Sequence, residues 1–207
     1  EDVSISPAQQ TRIEQLLALR FGLDQIVTRP APRLDDISLR SPRVMPPAAL
    51  ASLCHTDPAE RAGHTYGKSF RDVVRGVEGD FSEPPDIVAC PRTEVDILAL
   101  LDWCGSNNIV AIPYGGGSSV VGGVEAPGAG DHRGVVSIDM RHFDQVLEVD
   151  STSRAARIQA GIYGPALEAQ LRPHGYTLRH FPQSFEFSTL GGWIATRSGG
   201  HYATLYT

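Results

Sequence analysis

A run of glycines directly after an apolar segment is the part of this sequence best suited to hold an anion. Residues 113–119 read PYGGGSS and follow the apolar run at 109–112, which predicts a buried strand. Adjacent glycines can adopt positive φ angles and leave successive backbone N–H groups unobstructed. Such a loop neutralises a pyrophosphate with peptide dipoles instead of charged side chains. A tight turn without any ligand is the alternative interpretation, and the loop alone does not decide between them.

A second stretch, residues 182–200, combines hydroxyl groups with paired glycines. It reads PQSFEFSTLGGWIATRSGG. Either Ser188 or Thr189 can cap a short helix over 190–196. Gly191 and Gly192 would let a flat ring or another backbone approach closely. By itself this stretch is equally typical of a polar loop followed by a half-buried helix.

Two common nucleotide-binding motifs are excluded. The dinucleotide motif GxGxxG would need a glycine where the sequence has Val120. The P-loop motif GxxxxGK[ST] ends correctly at 67–69, but it would begin at Ala62 and follows no predicted strand. A phosphate-binding loop of another architecture is the interpretation that is left.

The elements that must position these segments follow an α/β pattern from residue 84 onward. Short strands are predicted at 86–90, 109–112, 135–138, 146–149 and 155–160. A helix capped by Thr93 and ending near Gly105 is predicted to bury one apolar face, formed by Val95, Leu98, Leu100 and Leu101. A second helix is predicted at 163–171. The fold class is therefore α+β or α/β, with a small parallel βαβ part and a more antiparallel part.

Residues 1–83 are predicted to be an N-terminal extension with little core of its own. Ser6, Pro7 and Gln9 form the pattern of a capping box, so a helix is expected from there to about Gly22. The proline-rich stretch 29–47 is predicted to be extended. Residues 84–207 are then the main domain.

The composition favours a packed chain and argues against nucleic-acid binding. Hydrophobic residues make up 41% and charged residues 20% of the 207 residues, which is compatible with a folded core. A net charge of −6 gives little basic surface for phosphate contacts with a nucleic acid. No apolar run approaches the roughly 20 residues that a membrane-spanning helix needs. The first residues also lack the basic and apolar regions of a secretory signal, so none is expected.

The cysteines and histidines give no sign of a disulfide framework or a metal site. Cys54, Cys90 and Cys104 form no CxxC pair, which predicts a reducing compartment and no disulfide partner. The seven histidines show no metal-ligand spacing, so no metal is predicted. The only lysine, Lys68, stands against 17 arginines and is interpreted as codon usage rather than function.

Taken together, the two segments resemble the flavin-binding enzymes of the vanillyl-alcohol oxidase (PCMH-type) superfamily, and more narrowly the alkyldihydroxyacetonephosphate synthases. The synthase motif PIGGGTS corresponds to PYGGGSS at 113–119, and PDSLEFSTVGGW corresponds to PQSFEFSTLGGW at 182–193. The motif TRAS corresponds to TRSG at 196–199. The resemblance covers roughly residues 60–207 well and the first 60 weakly. The EFST-GGW string is specific, whereas the glycine loop is shared with lactate and hydroxyglutarate dehydrogenases.

The resemblance implies a PCMH-type FAD-binding fold over 84–207 and a non-covalently held FAD. The glycine loop would wrap the pyrophosphate, and two later stretches would line the phosphates and the flavin. The cofactor-binding residues carried over are Pro113, Tyr114, Gly115, Gly116, Gly117, Ser118, Ser119, Pro182, Gln183, Ser184, Phe185, Glu186, Phe187, Ser188, Ala195, Thr196, Arg197 and Ser198.

The activity that the resemblance implies is an alkyl transfer in ether-lipid synthesis. The acyl group of acyl-dihydroxyacetone phosphate is exchanged for a long-chain alcohol, with no net oxidation. An FAD-linked dehydrogenase of D-2-hydroxy acids on the same scaffold is one alternative. A non-catalytic flavin-binding module is another.

The family continues past the position of Thr207 with a further flavin-binding stretch, a cap domain for substrate and the acid–base residues. We therefore expect the chain to be incomplete there, and no catalytic residue is assigned. The expected partner is a small lipid substrate, with a homodimer and a peripheral membrane contact left open. The expected compartment is the cytoplasm, or the peroxisome in a eukaryote.

Overall fold

The structure is a computed structural model that describes residues 5–28, 30–126 and 130–200. Contacts divide the chain into two compact units, Glu1–Ala31 and Pro32–Thr207. The first contains the helix α1, Pro7–Phe21. The Ser6 hydroxyl accepts the Gln9 N–H, the Gln9 side chain accepts the Ser6 N–H, and Gly22 ends the helix with a φ of 64°. The predicted capping box and stop are therefore confirmed.

The second unit is built on a four-stranded sheet with the spatial order β1-β2-β4-β3. The strands are β1 Cys54–His55, β2 Ile87–Ala89, β3 Ile109–Tyr114 and β4 Gly134–Asp139. The strands β2, β4 and β3 are parallel, and β1 is antiparallel to β2. The helix α4, Glu94–Ser106, connects β2 to β3. Because β4 lies between those two strands, the crossover spans one strand position.

The rest of this unit is an antiparallel hairpin and short helices. The hairpin pairs β5 Val146–Asp150 with β6 Ala155–Ile158. The other helices are α2 Pro58–Gly63, α3 Phe70–Glu78, α5 Gly164–Leu171 and α6 Leu190–Thr196. Short 3-10 helices span Leu34–Asp36, Ala48–Leu53 and Arg172–His174. The predicted combination of a small parallel part with an antiparallel part is confirmed.

The buried face of α4 differs from the predicted one. Leu100 and Cys104 are buried, whereas Val95, Leu98 and Leu101 are 72%, 61% and 46% exposed. The prediction placed Leu98 and Leu100 on one face of the helix. Two residues of a helix that are two positions apart lie about 200° apart around its axis, so they face opposite sides. The buried stripe follows the i, i+4 pair Leu100 and Cys104.

The segment before residue 84 contributes to the core of the sheet. Val44 and Leu50 are buried in the same cluster as Ile87 and Leu100. The strand β1 also extends the sheet through its pairing with β2. Residues 32–83 thus belong to the same compact unit as the strands that follow, and the division between the two units lies after Ala31. The predicted domain division at residues 83 and 84 stays a prediction.

A buried carboxylate, Asp86, ties that segment to the sheet. It accepts hydrogen bonds from the backbone N–H groups of Arg43 and Val135, both at 2.7 Å. The guanidinium groups of Arg40 and Arg43 also bind it. Burial alone would raise the pKa of Asp86, but the hydrogen bonds from these arginines and from Val135 outweigh burial and lower the pKa to about 2.

The three cysteines are free thiols. Cys90 and Cys104 are buried and Cys54 is half-buried. Burial raises the pKa of Cys104 to about 11, and burial together with the neighbouring thiols raises that of Cys54 to about 11. In the part of the chain that the structure describes, no helix is long and apolar enough to span a bilayer.

Candidate cofactor site

The structure brings the two predicted cofactor segments into direct contact. A Cβ on Gly116 would overlap the carbonyl oxygen of Phe187 and would lie 3.1 Å from the Cα of Ser188. A Cβ on Gly115 would overlap the hydroxyl of Thr189. Two of the three glycines are therefore required by the close approach of residues 187–189 to the loop.

The third glycine is required by its backbone conformation and by a ring beneath it. Gly117 has a φ of 64°, and a Cβ there would overlap the hydroxyl of Tyr114. That hydroxyl donates a 3.1 Å hydrogen bond to the carbonyl of Gly63. Burial raises the pKa of Tyr114 to about 12, so the phenol stays protonated and keeps this bond. The Tyr114 side chain thus supports the loop.

The loop presents consecutive backbone donors that the protein does not use. Among the described residues, no acceptor takes the N–H groups of Gly116, Gly117 and Ser118. A turn that combines a left-handed residue with adjacent free N–H groups forms a concave site for an anion. With no side chain on 115–117, a phosphate oxygen can reach these donors. The loop therefore fits the pyrophosphate of FAD.

A buried polar cluster lies below the loop. The Nε2 atom of His64 is 2.8 Å from a carboxylate oxygen of Asp139, and its Nδ1 atom is 2.7 Å from the carbonyl of Glu60. Arg141 binds the carboxylates of both Asp139 and Glu60. Burial tends to raise the pKa of Asp139, but hydrogen bonds from His64 and Arg141 lower it overall. The His64 ring packs 4.2 Å from the Tyr114 ring, so this cluster supports the loop from below.

The sequence predicted this cluster no further than the absence of a metal site among the histidines. The signal that could have indicated it is a carboxylate, Asp139, at the end of a strand that is otherwise apolar except for Ser137. A buried carboxylate requires partners. No local pattern indicates which residues those partners are, because His64 lies 75 positions away.

Residues 67–69 lie against the far end of the glycine loop. The N–H of Lys68 donates to the carbonyl of Ser119 at 2.6 Å, and a Cβ on Gly67 would overlap that carbonyl. The Ser119 hydroxyl accepts from the N–H groups of Val121 and Gly123 at 3.4 and 3.0 Å. This stretch, excluded above as a P-loop, therefore forms one edge of the site.

The second segment is shaped by its own side chains. The buried hydroxyl of Ser188 accepts from the indole N–H of Trp193 at 2.6 Å and donates to the carbonyl of Ser184 at 2.7 Å. The Thr189 hydroxyl accepts the Gly192 N–H at 3.4 Å and so caps α6. Of the two predicted caps, Thr189 is the one used. The hydroxyl of Ser188 holds the segment in shape instead.

Several of the predicted residues present their side chains to solvent. Phe187 is 67% exposed beside the loop. The exposed members of the predicted set are Pro113, Gln183, Glu186, Phe187, Ala195, Thr196 and Arg197. Residues 195–198 lie at the opposite end of α6 from the contact with Gly115, about 10 Å along the helix. A ligand that touches both must therefore be extended, as a dinucleotide is.

A separate cleft of about 740 Å³ opens on the other side of the second segment. Phe185 and Glu186 line it together with Pro165, Arg172 and Tyr176. No residue of the glycine loop lines this cleft. In the described parts of the chain, no group of three acidic, histidine or cysteine side chains is arranged to bind a metal ion.

A glycine loop with free backbone donors at the end of the edge strand β3 is typical of a protein that binds a phosphate-containing cofactor, and the comparisons show which class it is. The family model described as "FAD binding domain" matches residues 85–207, and the chain belongs to that family. The cofactor of the family is FAD.

The resemblance to the alkyldihydroxyacetonephosphate synthases is confirmed. The chain is 40% identical over 193 residues to the synthase of Dictyostelium discoideum. This alignment covers 90% of this chain and 31% of that protein. It is 38% identical over 150 residues to the synthase of Trypanosoma brucei brucei, covering 72% and 24%. A solved alkyldihydroxyacetonephosphate synthase structure matches with a TM-score of 0.81 and 40% identity over 86% of this chain and 35% of that one. The chain thus spans about a quarter to a third of the length of these relatives, and the predicted PCMH-type fold is confirmed.

Proposed function

We propose that this chain is the FAD-binding part of an enzyme that resembles the alkyldihydroxyacetonephosphate synthases. The observation that carries the proposal is the set of three unused backbone donors at 116–118, which lie directly against the string EFST at 186–189. Neither segment alone defines an FAD site. Their contact creates a loop without side chains and an exposed aromatic ring, Phe187, beside it.

In this proposal the chain binds and orients the cofactor. FAD, when bound, would supply a redox-active ring whose chemistry side chains cannot perform. The N–H groups of Gly116, Gly117 and Ser118 would hold the pyrophosphate, and Thr189 keeps the second segment against the loop. Tyr114 and the His64 cluster would keep the loop in shape before the cofactor arrives. Such preorganisation lowers the cost of binding.

We further propose that the FAD is held without a covalent bond. The loop carries Ser118 at the position where some flavin-bonding relatives have a histidine. The histidine that packs against the loop through Tyr114, His64, has both ring nitrogens in hydrogen bonds. Neither nitrogen is free to attack a flavin.

The flavin proposal is tested by absorbance and acid precipitation. The chain, mixed with FAD and then freed of excess by gel filtration, should keep the near-ultraviolet and blue bands of a flavin. After precipitation with acid, the yellow colour should be in the supernatant. Colour in the pellet would show a covalent bond, and absence of any bound flavin would overturn the proposed site.

The reaction class is proposed as ether formation on acyl-dihydroxyacetone phosphate. Such an exchange leaves the flavin oxidised after each turnover, so it needs no electron acceptor. The full-length enzyme would contain this chain and the parts of the relatives that it does not cover. Given the acyl substrate and a long-chain alcohol, it should release fatty acid in the absence of oxygen. In a dehydrogenase, D-lactate or D-2-hydroxyglutarate would instead reduce the flavin and bleach its absorbance under the same conditions. Bleaching without release of fatty acid would establish the dehydrogenase function.

The same proposal includes a lipid substrate and a reducing compartment. It also includes a dimer and a peripheral membrane contact. Three free thiols support the reducing compartment, the cytoplasm or a peroxisome. Flotation of the enzyme with phospholipid vesicles and light scattering would test membrane contact and dimerisation.

A further inference from the structure

The only lysine of the chain lies at the edge of the glycine loop. Lys68 is bound to the loop through its backbone, since its N–H donates to the Ser119 carbonyl at 2.6 Å. Gly67 allows this approach because it has no Cβ to meet the Ser119 backbone. The position of Lys68 relative to the loop is therefore fixed by a backbone hydrogen bond and by close packing.

Three other cations in this part of the structure are already paired with carboxylates. Arg71 and Arg75, on the helix that follows Lys68, both bind Glu125, at 2.7 and 3.4 Å. Arg141, below the loop, binds Asp139 at 2.6 Å. Lys68 is exposed, and among the described residues it has no carboxylate within ion-pair distance. Its charge is thus available to a ligand.

A loop that offers only backbone donors compensates a ligand's charge with partial charges, so a full positive charge nearby would strengthen binding further. The pyrophosphate of FAD carries two negative charges, and the chain itself carries a net charge of −6. A lysine ammonium on its flexible four-carbon stem acts as a point charge toward phosphates, beside the backbone donors of glycine loops. Lys68 and the free N–H groups of 116–118 would together supply both the charge and the hydrogen bonds.

We propose that Lys68 is a ligand-binding residue that neutralises the pyrophosphate held by the glycine loop. The proposal rests on the FAD site proposed above and adds to it a residue that the motif comparison did not include. It also replaces the interpretation of Lys68 as codon usage alone.

Binding of FAD and of ADP, which carries the same pyrophosphate, tests the proposal. Lys68→Gln should weaken both ligands by about tenfold, because a charge-assisted interaction is lost. Lys68→Arg should keep most of the affinity. The matched control is Arg71→Gln, three residues along the chain. The Arg71 cation is paired with Glu125, so its removal should leave both dissociation constants unchanged. The affinity of Lys68→Gln should also fall less steeply with salt than that of the wild type.

A second measurement uses the fact that the chain has one lysine. An amine-selective reagent should modify Lys68, which mass spectrometry reads as a single side-chain site. FAD and ADP should protect it, whereas riboflavin, which has no phosphate, should not.

Unchanged FAD and ADP affinity in Lys68→Gln, or equal labelling with and without ADP, would overturn the role of Lys68 while leaving the FAD site standing. Failure of the wild-type chain to bind FAD would overturn the site itself, and the role of Lys68 with it.

Discussion

Gly116 has no space for a side chain, because the carbonyl oxygen of Phe187 occupies the place of a Cβ. Gly116→Val should force residues 187–189 away from the loop and disturb its free donors. Loss of two hydrogen bonds to a charged group, about 1.5 kcal/mol each, corresponds to an affinity for FAD about a hundredfold lower. The change is measured by titration with FAD, and far-ultraviolet circular dichroism checks that the chain stays folded.

The matched control is Gly76→Ala in α3, where a Cβ would meet nothing within 4 Å. Alanine is the better helix former there, so this variant should be more stable by about 0.5–1 kcal/mol and bind FAD as the wild type does. If Gly116→Val bound FAD with wild-type affinity, the loop would not be the pyrophosphate site.

Asp86 makes the stability of the fold depend on pH in a predictable direction. Its pKa is about 2 in the folded chain and about 3.9 when unfolded, so the folded state favours the ionised form. The stabilisation of about 2.5 kcal/mol is complete above about pH 5 and is lost as the pH falls through the folded-state pKa of about 2. Asp86→Asn should destabilise the fold by about 3 kcal/mol at neutral pH, because Arg40 and Arg43 lose their charged partner.

Urea denaturation of both proteins between pH 7 and pH 2.5 measures this dependence. The difference in unfolding free energy between wild type and Asp86→Asn should shrink as the pH falls. A difference that stays constant over this range would show that Asp86 does not titrate with folding.

At the residue level, the glycine loop was predictable and its supports were not. Three adjacent glycines after a strand indicate a bare backbone, whatever surrounds them. The hydrogen bond between His64 and Asp139 joins residues 75 positions apart, and that between Lys68 and Ser119 also spans two elements. No local pattern records such pairs, since they depend on how the elements pack.

At the level of elements, helix α4 shows which of its faces stabilises the fold. Leu100→Ala should cost about 2–5 kcal/mol, because Leu100 is fully buried in the core of the sheet. Leu98→Gln, two residues away and 61% exposed, should change stability by less than about 0.5 kcal/mol. Chemical denaturation of the two variants measures both values. An equal loss in the two would mean that the predicted face, and not the observed one, packs in solution.

The helix boundaries were predictable because caps are local. The start of α1 at Ser6 and of α4 at Thr93 follow from hydroxyl groups that accept the N–H three residues later. The face of α4 was not predictable, since apolar side chains lie all around that helix. The strand β1 was missed for a related reason: it has two residues, and its partner β2 lies more than 30 positions later.

At the level of the whole molecule, truncation tests where the folded unit begins. A chain that starts at residue 32 should fold and bind FAD, because the sheet, its core and the glycine loop all lie within Pro32–Thr207. A chain that starts at residue 84 should fail to fold, since it lacks β1, Val44, Leu50 and the partners of Asp86. NMR spectra and flavin absorbance distinguish the two. A well-folded, flavin-binding chain from residue 84 would instead establish the domain boundary that the sequence predicts.

The alkylation rate of a buried thiol reports how often the surrounding sheet opens. The Cys104 thiol has a pKa of about 11 and is shielded from water, so it reacts with alkylating reagents only while the surrounding structure is open. Cys54 is on the two-residue edge strand, whereas Cys104 is packed against the central strands. At pH 8 the half-buried Cys54 should therefore be alkylated many times faster than Cys104, and the rate at Cys104 relative to that in the unfolded chain would give the free energy of opening the core.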